Sequence, residues 1–69
     1  MRGYVFNKQI GKRIKKARKE RGITQQELAE KVNMHDTTIS RIETGFSNPS
    51  ILTINKIAKA LKIPLSDLF

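Results

Sequence analysis

Apolar residues recur along this chain at helical spacing. Ile10, Ile14 and Ala17 share one stripe, Leu28, Val32, Met34, Ile39 and Ile42 follow with Ala29 among them, and Ile51, Ile54, Ile57, Ala58 and Leu61 form a third series. A period near 3.6 turns one face of each segment toward a common core. The residues between these series supply the boundaries. Asn7 is the predicted N-cap of a first helix running to about Arg21, which Gly22 ends by taking positive φ. Residues 1–6 then form an N-terminal arm, with Val5 and Phe6 apolar enough to pack, and residues 7–69 form the domain. Thr24 opens a second helix as a capping box with Glu27 three residues on. Asn33 sits in the next turn, where Asn tolerates the left-handed conformation. A third helix runs from about Asp36 to Thr44 and stops at Gly45; Asn48 or Ser50 caps a fourth that reaches about Lys62; Pro64 begins a last short piece. Gly11, inside the first helix, costs roughly 1 kcal/mol there and points to close packing.

The second and third helices carry the functional signal. They are short, joined by a tight turn, and share one core above which small Ala29 permits a close crossing. This is the helix-turn-helix arrangement, whose second helix enters the DNA major groove. With residues placed at 100° intervals, Ile39 and Ile42 define the inner face of the third helix. Thr37, Arg41 and Thr44 cluster opposite, flanked by Thr38 and Ser40. Short hydroxyls around one long cation suit the groove, because Arg bonds guanine bidentately and Thr meets a base edge or a thymine methyl. Most polar helix faces are merely solvated; here spacing and charge together favour the groove. Asp36 either accepts a hydrogen bond from cytosine or complements the helix N-terminus. His35, with no second ligand in view, is an ordinary turn residue.

Charge agrees. The 69 residues suffice for one small domain, and 14 Lys and Arg against 6 Asp and Glu give a net charge of +8 and a pI near 10.3. Such a surface attracts polyanions, nucleic acid before anionic membrane. The stripe Ile10, Ile14, Ala17 is too thin for a membrane helix and is needed for the core. There is no Cys, hence no disulfide or thiolate metal site. The absence of an apolar run of about 20 residues and of a signal-peptide core makes a cytoplasmic location the expectation. No Cys nucleophile, poised carboxylate pair, phosphate-binding Gly loop or His cluster suggests an enzyme, and no cofactor, metal or small-molecule substrate is expected.

QQELAEKVNMHDTTISRIETGFSNPSILTINKIAKAL resembles the Cro/cI-type helix-turn-helix domain of phage and bacterial repressors, the XRE family. The resemblance covers about residues 9–69 and rests on Q-x-x-L-A, T-I-S-R-I-E-x-G and N-P-S. It implies an all-α, compact five-helix, lambda-repressor-like domain with the helix-turn-helix at helices 2 and 3. Such a domain binds a palindromic double-stranded operator as a homodimer to regulate transcription, most often as a repressor. By position it implies a phosphate contact from Gln25, base-edge and nearby contacts from Asp36, Thr37, Thr38 and Arg41, and a phosphate grip by the 45–50 loop with Asn48. It also implies a partly buried salt bridge between Arg18 and Glu43. Asn33 replaces the usual turn Gly, His35 replaces a good N-cap, and the loop reads Phe46, Ser47, Asn48 where Lys or Arg is common, which shifts its grip toward backbone donors. An antitoxin-like or protein-binding module on the same fold, or the controller protein of a restriction–modification system, is the alternative. The end of helix four with Ile63, Leu65, Leu68 and Phe69 either offers a dimer contact or completes the monomer core, two readings of equal weight.

Overall fold

Side-chain caps and left-handed residues set the helix boundaries. The structure, a computed structural model, describes the backbone of residues 2–69 and the side chains of residues 7–69. Four α-helices, α1 (Arg2–Glu20), α2 (Gln25–Lys31), α3 (Asp36–Thr44) and α4 (Ile51–Leu61), precede a short 3₁₀ turn at Leu65–Leu68. Thr24 Oγ1 accepts from the Glu27 N–H and the Thr24 N–H donates to Glu27 Oε1, both at 3.0 Å. The backbone bond first, and the hydroxyl second, hold the Glu27 carboxyl below the ordinary glutamate range. Ser50, rather than Asn48, caps α4 by accepting from the Thr53 N–H at 3.2 Å.

Each α-helix ends on the same device, a left-handed residue at Gly22, Asn33, Gly45 or Lys62 with φ of 66°, 58°, 86° and 58°. The residue after it reaches back five positions, as in Met34 N–H to Ala29 O at 2.9 Å, Phe46 N–H to Arg41 O at 2.9 Å and Ile63 N–H to Ala58 O at 3.0 Å. These bonds satisfy carbonyls that a helix end otherwise leaves orphaned.

The fold is all-α with the helix-turn-helix at α2 and α3, as the pattern predicts. Ile14, Leu28, Ile39, Ile57, Leu61 and Leu68 are fully enclosed at its centre. Two glycines let α1 sit backbone to backbone on α3. A Cβ on Gly11 would collide with the Ile42 carbonyl oxygen and lie 2.6 Å from that of Glu43; one on Gly45 would lie 2.8 Å from the Lys8 Cα. The packing suspected from a mid-helix glycine is therefore α1 against α3.

Several expectations need correction. Helical backbone runs from Arg2, through the segment expected to be an arm, so Asn7 lies inside α1 instead of capping it. The packing expected of Val5 and Phe6 concerns side chains outside the described residues. The expected fifth helix is a single 3₁₀ turn. Ile51 is 58% exposed, since it is the first residue of α4 and the chain enters there from solvent. Of the residues read as either dimer contact or core, Leu68 is core, with Ile63 and Leu65 packed against it. No helix among the described residues is long and apolar enough to cross a membrane.

Candidate nucleic-acid interface

The position of α3 is fixed by one carboxylate. Glu43, on the inward side of α3, accepts from Arg18 Nε at 2.7 Å and Arg18 Nη2 at 3.1 Å, a fork-to-carboxylate pair joining α1 to α3. The remaining nitrogen, Arg18 Nη1, donates to the Ile23 carbonyl at 2.7 Å. Gln25 Nε2, at the start of α2, adds a bond to Glu43 Oε1 at 2.9 Å. Arg18 and Glu43 are both buried, and no described buried side-chain polar atom lacks a partner. Burial of two charges is tolerable only in such geometry, with the remaining donors and lone pairs satisfied.

On the far side of the same helix, Asp36, Thr37, Arg41 and Thr44 are exposed, and Thr38 and Ser40 are half-buried on the flanks. Arg41 is the only cation of α3, and its guanidinium has no partner among the described residues. The Thr44 hydroxyl donates back to Ser40 O at 3.0 Å, with Arg41 O at 3.2 Å, so toward a ligand it can only accept. His35 precedes α3 in extended conformation without a side-chain cap, leaving Asp36 as the anionic group in the first turn.

Two details lay beyond sequence reasoning. Gln25 is half-buried and already donates to Glu43, which leaves one amide hydrogen for any outside acceptor. In the 45–50 loop, the N–H groups of Phe46 and Ser47 both bond Arg41 O, and that of Gly45 bonds Ile42 O. Among the described residues this leaves Asn48 and Ser50 as the loop's open backbone donors, Pro49 having none. Asn7 Nδ2 stands 3.4 Å from Asn48 Oδ1, bringing α1 to the edge of the loop. No spacing rule links residues 41 positions apart, so only the fold brings them together.

The helix-turn-helix (HTH_3) family model matches residues 14–68. The immunity repressor protein of Bacillus phage phi105 is 46% identical over 57 residues, 83% of this chain and 40% of the repressor. The chain thus spans less than half of that relative. Among solved structures, the restriction-modification controller protein C.AhdI from Aeromonas hydrophila superposes with a TM-score of 0.94 at 29% identity over 100% of both chains. The biofilm master regulator SinR, solved in complex with DNA, superposes with a TM-score of 0.80 at 40% identity over 86% of this chain and 95% of that one. With a braced helix pair, an outward polar face on the second helix and a family match over most of its length, the chain belongs to the XRE-type helix-turn-helix family of transcriptional regulators.

Proposed function

We propose that this protein binds double-stranded DNA sequence-specifically, with α3 in the major groove, and represses or otherwise regulates transcription from that site. The observation that carries the reading is the two-sidedness of α3: Glu43 anchored inward by two other helices, and Arg41 outward without a partner among the described residues. Arg41 reads a base, most simply guanine through O6 and N7, and Thr37 and Thr38 set its neighbours. Asp36, Ser40 and Thr44 border the footprint, Thr44 as an acceptor only. Gln25, through its one free amide hydrogen, and Asn48 contact phosphate. The domain acts as a homodimer on a palindrome, with recognition helices one turn of DNA apart, about 34 Å. With Leu68 in the core, the large apolar side chains exposed among the described residues, and so placed for a dimer contact, are Phe46 at 77%, Ile51 at 58%, Leu52 at 76% and Phe69 at 42%.

A restriction–modification controller is the second reading, favoured by the likeness to C.AhdI along the whole of both chains. It shares the DNA chemistry and differs in the site regulated. Selection of binding sites from random duplex DNA tests the proposal directly, and a palindromic consensus is expected. On that consensus Arg41→Ala costs about 1–3 kcal/mol and relaxes one position per half-site. Equal weakening on cognate and scrambled duplex makes Arg41 a phosphate clamp instead, and binding without steep salt dependence favours a protein-binding module.

A further inference from the structure

The recognition face uses one cation, whereas much of the positive charge lies on α1. Lys8, Lys12, Lys15 and Lys19 follow each other at steps of four, three and four residues, which on a helix is one continuous row. All four are exposed, and none has an ion pair among the described residues, where the only bridge is Arg18–Glu43. Lys12, Lys15 and Lys19, with Lys16 and Glu20, line one shallow surface depression.

The row has a definite side. Gly11 and Arg18 are the residues by which α1 meets α3, and Lys15 is four residues after one and three before the other, so it adjoins both on the helix surface. Lys8 lies with its Cα against Gly45, at the end of α3. The other flank of α1 faces the C-terminal segment, where Arg13 donates to the Phe69 carbonyl and Arg21 to that of Leu61. The lysines thus border the α3 side of α1.

We propose that this lysine row is a second DNA contact, a ridge that engages the phosphodiester backbone of duplex flanking the segment read by α3. The inference rests on the DNA-binding reading above and extends it. From Lys8 to Lys19 a helix rises about 16 Å, a length over which one strand of duplex carries about five phosphates. Lysine suits this use: it is a compact point charge on a flexible stem, able to follow phosphates without demanding the planar geometry Arg prefers. Such contacts add affinity and register without sequence preference. A membrane is a poorer occupant, because the row carries no apolar residue to enter the acyl region.

The test compares the wild-type chain with the triple variant Lys12→Gln, Lys15→Gln, Lys19→Gln, since Gln keeps a helix propensity close to that of Lys. Circular dichroism should show both folded alike. Binding is measured from 50 to 200 mM salt on two duplexes, one trimmed to the selected consensus and one extended by a helical turn on each side. The expected result on the extended duplex is a log–log salt slope shallower by about 2 to 3 in the variant, at about 0.9 per lost phosphate contact. The affinity advantage of the wild type then falls roughly 16- to 64-fold across that salt range. The ratio of cognate to scrambled affinity stays the same, and on the trimmed duplex the two proteins bind alike. Equal slopes on the extended duplex overturn the ridge while leaving the α3 reading intact. Unchanged DNA slopes with loss of binding to phosphatidylserine vesicles overturn it in favour of a membrane contact. A wild-type chain whose affinity ignores both sequence and salt overturns the DNA-binding reading itself.

Discussion

Gly11 contributes by having no side chain. Alanine there gains about 1 kcal/mol of helix propensity, yet its Cβ would press on the backbone carbonyls of Ile42 and Glu43, which cannot rotate aside as a flexible side chain could. Overpacking of this kind costs about 1–3 kcal/mol, so the close approach outweighs the propensity. Gly11→Ala should lower the urea midpoint; a raised midpoint would show that α1 and α3 part freely. Arg18 poses the opposite problem, a charge that must be present. Arg18→Met leaves Glu43 buried with only Gln25 as a described partner, at a cost of about 3–5 kcal/mol. Adding Glu43→Leu should recover most of it, because an apolar pair of similar volume replaces a buried ion pair without stranding a charge. A double-mutant cycle by urea unfolding measures the coupling, and zero coupling would mean that the pair does not brace α3.

One helix end rests on a residue poorly suited to it. Lys62 holds φ 58° at the end of α4, where a left-handed non-glycine residue costs about 1–2 kcal/mol. Glycine removes that strain and gives back part of it in unfolded-chain entropy, so Lys62→Gly should stabilise the domain by about 0.5–1 kcal/mol, read as a higher melting midpoint. A lower midpoint would mean that the Lys62 side chain contributes more than its backbone costs. Such ends were legible in sequence wherever a cap has its own residue chemistry: Thr24 with Glu27, Gly22, Gly45, and Ser50 before α4. The start of α1 was not, because no capping residue announces it and Asn7 imitates one from inside the helix. Ile51 was assigned to the wrong environment, and Leu68 left between two, for a related reason. A 3.6-residue period holds only within a helix, and these two lie at its first residue and in a 3₁₀ turn. The outward face of α3 was readable, since Thr37, Arg41 and Thr44 are exposed as the wheel places them. The bond between Gln25 and Glu43 was not, because it joins helices that only the tertiary fold brings together.

At the scale of the whole molecule, a net charge of +8 on 69 residues sets the proposed dimer against itself. Two such domains repel in free solution, and duplex DNA between them neutralises that repulsion. Self-association should therefore be weak alone and strong on a palindrome. Leu52, 76% exposed at the start of α4, provides the test of the contact. Leu52→Glu should leave the fold unchanged and reduce two domains per palindrome to one, as measured by sedimentation at DNA saturation. Two domains still bound would place the contact elsewhere.

Glu43 belongs to α3 but receives its bonds from α1 and α2, and this bears on how the protein searches. Neither α1 nor α3 can swing out alone without stranding a charge in the core, so local opening of α3 is costly. A regulator that slides along nonspecific duplex before stopping must sample each register in far less time than such an opening takes. On the proposed reading it therefore travels as a rigid body, and what adapts at each base pair is the rotamer of Arg41 and of the threonines beside it. Discrimination between sites is settled on the timescale of side-chain rotation, with the helix that carries those side chains standing still.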